Sequence, residues 1–187
     1  EDGTGSATEA LADGDGGLLL VTNAAGDNDH DFFQLVKEGY KYEAGKQLAF
    51  NMRFKTSDAT QSDIVAGLQL TDTSPLDVTD GIFFLKSDGA TTISFIVEKD
   101  STQSTLTLPN SLADDTFMTI GFVYDPKDQK FHVFQNNVLA GTVVSTNAPD
   151  DEELTLSFGI QNGAAAAKTL TVDYIGASKE RTAATEL

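Results

Sequence analysis

The feature of this sequence that most constrains its fold is a repeated alternation of apolar and polar residues. In the segment Gln47–Lys55, every second residue from Leu48 to Phe54 is a large apolar one, and most residues between them are polar. Successive side chains of a strand point to opposite faces, so this pattern is typical of a strand with one buried face. The same period returns at Ile93–Val97, Met118–Tyr124, Leu154–Ile160 and Leu170–Tyr174.

Segments rich in Gly, Asp, Asn, Ser and Pro separate these runs and predict turns. The clearest is Asp125-Pro126-Lys127-Asp128, because proline at the second position of a type I turn fixes φ and lets the flanking runs pair as a hairpin. Twelve strands are predicted between the turns: Gly17–Thr22, Phe32–Lys37, Lys46–Lys55, Asp63–Thr71, Gly81–Lys86, Thr92–Glu98, Ser104–Leu108, Thr116–Asp125, Gln129–Asn136, Val138–Val144, Glu153–Gln161 and Lys168–Ala177.

No segment carries apolar residues at helical spacing together with helix caps. The four alanines at Ala164–Ala167 are too few to nucleate a helix. Because consecutive strands follow one another through short loops, the sequence predicts an all-β fold, an antiparallel two-sheet β-sandwich. A chain of 187 residues fits one domain. We expect a polar N-terminal arm at 1–16, a single sandwich domain at 17–177 and a C-terminal tail at 178–187.

The chain is strongly acidic, with 12 basic against 29 acidic residues and a net charge of -17. Such a surface repels nucleic acid, and no apolar run approaches the length of a membrane span, so we expect neither as a partner. Cysteine is absent, which excludes disulfides and thiolate chemistry. Three interpretations of the dispersed acids stay open: solvation, binding of divalent cations, and complementarity to a basic partner.

Calcium is the one cofactor that the sequence suggests. Asp27, Asp29 and Asp31 supply alternating carboxylates between two predicted strands. The run lacks the glycine and the distal glutamate of the twelve-residue calcium loop, so a solvated loop is the favoured interpretation and a calcium site is the alternative. No other cofactor or metal is predicted.

Groups for catalysis are sparse. The two histidines, His30 and His132, lie in a polar loop and on the solvent side of a strand. Carboxylates cluster at Glu98/Asp100 and at Asp150–Glu153, where a strand end and a solvated edge are the simpler interpretations. Without tryptophan and with four tyrosines, a stacking platform for sugars is poorly supplied. The sequence therefore predicts no catalytic residues and a protein that is not an enzyme.

Two segments resemble a known fold family. The predicted hairpin Phe117–Asp125 and Gln129–Asn137 resembles the late hairpin of concanavalin-A-like and laminin-G-like jelly rolls. In those folds a strand that ends in Tyr-Asp is followed by one that ends in an Asn-containing turn. The resemblance implies a concanavalin-A-like jelly roll over 17–177. Lectin-like relatives bind calcium and sugar through loop Asp and Asn residues, but those positions do not match this sequence one by one.

Four further segments are similar to parts of tailed-bacteriophage virion proteins: Lys55–Asp63, Gly67–Thr73, Asp80–Phe84 and Leu170–Ile175. This resemblance implies a non-enzymatic capsid decoration or cement protein on the outer capsid surface of a virion. Its partners would be the major capsid protein, neighbouring virion subunits and further copies of itself.

The alternative function is a lectin-like module that binds carbohydrate, with or without calcium, such as a cell-surface glycan. This alternative requires aromatic side chains on an exposed sheet face, and the candidates are Tyr40, Tyr42, Phe83 and Phe134. Phe83 and Phe134 have a competing interpretation, in which they cover the second sheet or form a subunit contact.

Overall fold

The computed structural model describes residues 6–181 and has fourteen strands in two antiparallel sheets of seven. Among these residues, no helix is long and apolar enough to cross a lipid bilayer. The strands are β1 (Thr8–Ala12), β2 (Leu18–Thr22), β3 (His30–Gln34), β4 (Tyr40–Lys41), β5 (Leu48–Thr56), β6 (Ser62–Gln69), β7 (Gly81–Lys86), β8 (Ser94–Lys99), β9 (Thr102–Thr107), β10 (Met118–Asp125), β11 (Lys130–Gln135), β12 (Val138–Val144), β13 (Glu153–Asn162) and β14 (Thr169–Lys179).

The strand order within each sheet mixes hairpins with long crossovers. Sheet 1 has the order β1-β2-β14-β5-β10-β11-β12. Sheet 2 has the order β3-β13-β6-β7-β8-β9, with the short β4 also paired to β13. Each of the twelve predicted strands has a counterpart, and the predicted antiparallel two-sheet sandwich is confirmed. The hairpin at Asp125–Asp128 joins β10 to β11 as expected.

Two strands, β1 and β4, were not predicted. β1 lies within the predicted arm 1–16, yet it pairs residue by residue with β2, from Thr8 opposite Thr22 to Ala12 opposite Leu18. Its side chains are mostly exposed, so backbone hydrogen bonds rather than burial hold it, and the apolar pattern gives no signal. β14 continues two residues beyond Ala177. The rest of the predicted arm and tail, residues 1–5 and 182–187, lies outside the described residues.

The main core lies between the sheets and is rich in phenylalanine. Phe50, Phe84, Phe95, Phe122 and Phe131 are all buried and form a connected group of rings. Ring centroids are 5.3 Å apart for Phe95 and Phe122, which lie on different sheets. These contacts join the two sheets and account for the inward half of the alternation.

A second apolar cluster lies on the outer face of sheet 2. Phe83 and Ile96 alternate along their strands with residues of the main core, so they point away from it. The β6–β7 loop, residues 70–80, covers them with Val78. Buried Gln69 anchors this loop, because its Nε2 donates a hydrogen bond to the carbonyl of Pro75 at 2.9 Å. Sheet 2 is therefore buried on both faces at its centre.

A pair of buried tyrosines links the core to the turn before β5. The Tyr42 hydroxyl donates to the Tyr124 hydroxyl at 2.9 Å, and Tyr124 donates to the carbonyl of Ala44 at 3.0 Å. Burial, opposed in part by a hydrogen bond with Ser145, raises the pKa of Tyr42 to about 12. Its phenolate is disfavoured in the folded state.

This shift predicts a loss of stability at alkaline pH. An unfolded tyrosine loses its proton near pH 10, so the stabilisation from neutral Tyr42 is fully present below pH 10 and is lost as pH rises through about 12. We expect the free energy of unfolding to fall by about 2 kcal/mol more in the wild type than in Tyr42→Phe across this range. Urea unfolding at successive pH values measures it. Tyr174→Phe, at an exposed tyrosine, should keep the wild-type slope.

Candidate functional site

A cavity of about 690 Å³ opens at one edge of the sandwich, between the two sheets. One wall is formed by Leu35, Lys37 and Gly39 of the β3–β4 connection and by Tyr40 of β4, and the opposite wall is the end of β14 with residues 180 and 181. We call it the edge cavity. It exists because β2 pairs with only Thr169–Val172 of β14. Among the described residues, the later half of β14 has β5 on one side and no strand on the other.

The edge cavity is lined by basic residues. Four of the twelve lysines and arginines of the chain contribute to it: Lys37, Lys46, Lys179 and Arg181. Glu43 accepts hydrogen bonds from Lys179 and, at 2.9 Å, from Lys46. These two bonds, that from Lys179 first, lower the pKa of Glu43 to about 2. The carboxylate thus stays ionised and offsets charge on two of the four cations.

Tyr40 brings an aromatic ring to the edge cavity. The side chain is half-buried, packs partly against the main core and lines the cavity wall. Its hydroxyl donates a hydrogen bond to the carbonyl of Ala177 at 3.4 Å, across the gap between the sheets. Tyr40 is one of the four aromatic residues named as candidates for sugar contact. In the structure it lies beside cations and an unpaired strand edge.

A shallow trough crosses the outer face of sheet 1. It consists of two adjoining depressions of about 360 and 210 Å³ with Asn51 in both. Asn51 lies opposite Gly121 on one side and opposite Gly176 on the other. A Cβ at Gly121 would lie 2.8 Å from the Phe50 carbonyl oxygen, so glycine permits the close approach of these strands. Phe134, the second predicted aromatic candidate, forms part of the wall.

The other two aromatic candidates are not available to a ligand. Tyr42 is 4% exposed and contacts Tyr124 in the core. Phe83 is 2% exposed and belongs to the second apolar cluster under the β6–β7 loop. Both were named as candidates because they are aromatic, not because their burial could be read from the sequence. Burial on the outer face of sheet 2 depends on a loop whose path the alternation does not specify.

Of the candidate calcium residues, Asp27 and Asp29 lie in the loop between β2 and β3, which side-chain amides hold, and Asp31 lies in β3. Asp27 is exposed, whereas Asp29 and Asp31 are buried. The carbonyl of Asp29 accepts hydrogen bonds from Asn23 Nδ2 at 3.0 Å and from the Asn162 backbone at 2.8 Å. The three aspartates do not form a group whose ligand atoms all lie within 4.8 Å. Calcium binding here stays a prediction.

Within residues 6–181, one group of three acidic or histidine side chains does meet that distance: Asp125, Asp128 and His132, at the β10–β11 hairpin. His132 Nε2 lies 3.1 Å from Asp128 Oδ2. The backbone amide of Lys127 donates to Asp125 Oδ1 at 2.9 Å, and that of Lys130 donates to Asp128 Oδ1 at 3.2 Å. Two carboxylate oxygens and one imidazole nitrogen could hold a divalent cation. The sequence predicted the turn but not this grouping, which depends on hairpin register.

The carboxylate clusters considered from the sequence do not come together as pairs across a cleft. Glu98 is buried beside the β6–β7 loop, where burial and the nearby Asp80 and Asp77 raise its pKa despite a hydrogen bond from Gln103. Asp100 follows in the β8–β9 turn with φ of 50°. The Asp150–Glu153 run is a surface edge: Lys99 pairs with Asp150 and Asp151 at 2.5 and 2.9 Å.

No protein-family model and no curated protein sequence matches this chain. Solved structures do match its fold. The metal-free carbohydrate recognition domain of Emp46p has a TM-score of 0.63 at 12% identity, over 92% of this chain and 86% of its own. SO2946 from Shewanella oneidensis MR-1, a protein of unknown function, has a TM-score of 0.65 at 18% identity, over 99% and 78%. The fold is a lectin-like jelly roll.

The comparison also corrects the prediction that this protein is not an enzyme. The endo-β-1,4-glucuronan lyase from Trichoderma reesei has a TM-score of 0.60 at 9% identity, over 94% of this chain and 87% of its own. Alginate lyase AlyC3 has a TM-score of 0.59 at 6% identity, over 87% and 75%. The same sandwich thus carries catalysts as well as lectins, and a sheet-rich sequence without a familiar motif does not exclude catalysis.

Two further predictions are affected by the comparison. The Emp46p domain also has a potassium-bound form, so a bound metal ion is compatible with this fold. None of these matching structures is named as a virion protein, and nothing among them links the chain to a phage particle.

Proposed function

We propose that this protein is a lectin-like module that binds carbohydrate in the edge cavity. The observation that carries the proposal is the half-buried ring of Tyr40 on the wall of a cavity beside an unpaired strand edge. Sugar ligands present apolar C–H faces and hydroxyl groups, and binding sites commonly combine an aromatic surface with a few polar groups. The carbohydrate recognition domains that share this fold support the proposal.

The cavity offers both kinds of contact. The Tyr40 ring supplies a stacking surface, and its hydroxyl is already fixed on the Ala177 carbonyl, so little side-chain entropy is lost on binding. The open edge of β14 near Ser178 supplies backbone amide and carbonyl groups that lack a neighbouring strand among the described residues. Backbone groups at an open sheet edge can exchange hydrogen bonds with a ligand.

Tyr40→Ala tests the site. We expect a loss of glycan affinity of about tenfold or more, because a stacking surface at the cavity wall is removed. The measurement is a glycan array on the purified protein, followed by titration calorimetry with the ligands that bind. Thermal unfolding identifies any variant that fails to fold.

Phe134→Ala, in the trough on the outer face of sheet 1, is the matched control and should bind as the wild type does. Binding that survives Tyr40→Ala but is lost in Phe134→Ala would overturn the assignment to the edge cavity. The same samples, assayed for shortened glycan products, report whether binding leads to cleavage.

The biological setting is a separate proposal. The four segments that resemble phage virion proteins support a place on an outer capsid surface, next to the major capsid protein. In that setting the ligand would be a glycan of the host cell surface, and many copies on one particle would raise the apparent affinity of a weak site.

A further inference from the structure

We infer that the edge cavity selects acidic saccharides, whose carboxylate or sulfate groups bind Lys37 and Arg181. This inference rests on the proposed function and adds the chemical class of its ligand. It depends on where the few positive charges of this protein lie and on which of them are already paired.

The charge of the cavity opposes that of the whole chain. The protein carries a net charge of -17, so most of its surface repels an anion. The edge cavity has four cations among its lining residues. Two carboxylates accompany them: Glu180 is in the lining, and Glu43 is bound to two of the lysines. The local excess is two positive charges. The cavity therefore attracts an anionic ligand locally, although the net charge of the protein repels it.

The four cations divide into two kinds. Lys46 and Lys179 both pair with Glu43. Lys37 and Arg181 are exposed, and neither forms an ion pair with any residue in 6–181. They stand on opposite walls, Lys37 on the β3–β4 connection and Arg181 just after β14. A ligand between the walls can thus meet both without breaking an existing ion pair.

The two acidic residues at the cavity already accept hydrogen bonds from other residues of the protein. Glu180 Oε2 accepts a hydrogen bond from the Gln47 backbone at 3.0 Å, and Glu43 is held by its two lysines. Arginine binds carboxylate and sulfate through parallel N–H groups, whereas lysine acts as a point charge. Arg181 is accordingly the residue expected to orient the anion, with Lys37 adding attraction.

The ring of Tyr40 further restricts the chemical class of the ligand. A simple inorganic anion has no apolar face for the ring, and a neutral sugar has no charge for Lys37 and Arg181. An acidic sugar unit has both. Uronic acids and sulfated sugars share this chemistry, and the experiment separates them.

The experiment compares four probes by titration calorimetry: oligogalacturonate for carboxylates, a sulfated dextran oligomer for sulfates, unmodified dextran oligomer as the neutral sugar, and sodium sulfate as the free anion. The proteins are the wild type, Lys37→Gln/Arg181→Gln, and Lys127→Gln/Lys130→Gln. The last has the same change in charge at residues that do not line the cavity.

We expect one or both acidic oligomers to bind at least about tenfold more tightly than the neutral oligomer and the free anion. The Lys37→Gln/Arg181→Gln variant should lose this preference, and its affinity should depend less steeply on salt, whereas the control variant keeps both. Glu43→Gln frees Lys46 and Lys179 and should raise the affinity for the acidic oligomers.

Failure of the inference and failure of the proposed function give different results. Equal, Tyr40-dependent binding of acidic and neutral oligomers would overturn the inference and leave the proposed function standing. The absence of binding to every saccharide, here and on the glycan array, would overturn the proposed function itself. An equal loss in the cavity variant and the control variant would show that net charge, not the cavity, attracts the anion, and this also overturns the inference.

Discussion

Replacing Gly67 with alanine is expected to lower the free energy of unfolding by about 3 kcal/mol. Gly67 lies on β6 and faces the second apolar cluster, where a Cβ would lie 2.5 Å from Phe83 Cα and 2.6 Å from the Ile82 carbonyl oxygen. Both atoms belong to the backbone of β7, which pairs with β6 on this side. Because β7 is packed on both faces, it cannot move away without disturbing one core or the other.

Gly45→Ala is the matched control, because nothing lies within 4 Å of a Cβ at Gly45 and its φ is not positive. We expect its stability to stay within about 0.5 kcal/mol of the wild type. Urea unfolding followed by tyrosine fluorescence measures both variants. A Gly67→Ala protein as stable as Gly45→Ala would show that β6 and β7 separate easily, contrary to the packing described above.

Lys86 supplies the second large effect. Its side chain is 1% exposed and points into the main core from β7, where it lines a small enclosed space together with Phe54 and Ile120. Its Nζ donates hydrogen bonds to the carbonyl of Thr60 at 2.9 Å and to the carbonyl of Ser62. The amine thus ties the start of β6 to the end of β7 from the inside.

Lys86→Ala should lower the free energy of unfolding by about 4 kcal/mol, because it leaves a cavity and removes the amine that donates to the carbonyls of Thr60 and Ser62. Lys86→Met fills the space and should cost about half as much, since it loses the hydrogen bonds alone. Chemical unfolding of both variants at pH 7 gives the comparison. Equal losses would mean that the hydrogen bonds carry the whole effect and that packing of the stem contributes nothing.

The charge on Lys86 adds a dependence on pH. Burial lowers the pKa of this amine, so above its folded value the unfolded chain binds more protons than the folded chain. The contribution of Lys86 to stability therefore increases as pH rises toward the ordinary lysine value of 10.5. Lys86→Met lacks this increase. Tyr42 acts in the opposite direction above pH 10, so the Lys86 effect is measured below that value.

The sequence was informative about strands because burial of one face imposes a period of two. β5 and β10 show this plainly, since their inward residues form the core. The sequence did not predict β1, because a strand that is held at a sheet edge by its backbone needs no apolar face. Phe83 had two interpretations from the sequence, a sugar contact and a packing residue; it is buried, and its cover comes from a loop rather than from a strand.

The candidate site was predicted in one residue, Tyr40, and missed in the rest. Lys37, Lys46 and Arg181 come from three separate parts of the chain, and only the pairing of β14 with β2 and β5 brings them to one cavity. Their charges were hidden in a strongly acidic total. The expectation of a non-enzyme failed because a fold sets a scaffold, whereas chemistry depends on a few side chains.

The two-sided burial of β7 also affects how this protein can change over generations. Five of its six residues are buried, so almost any substitution there alters one packed layer. β12 lies at the edge of sheet 1 and exposes Val138, Leu139 and Val144. During evolution, substitutions at the exposed residues of β12 should therefore change the protein surface at little cost in stability. Substitutions in β7 should be accepted rarely, so its sequence should change slowly.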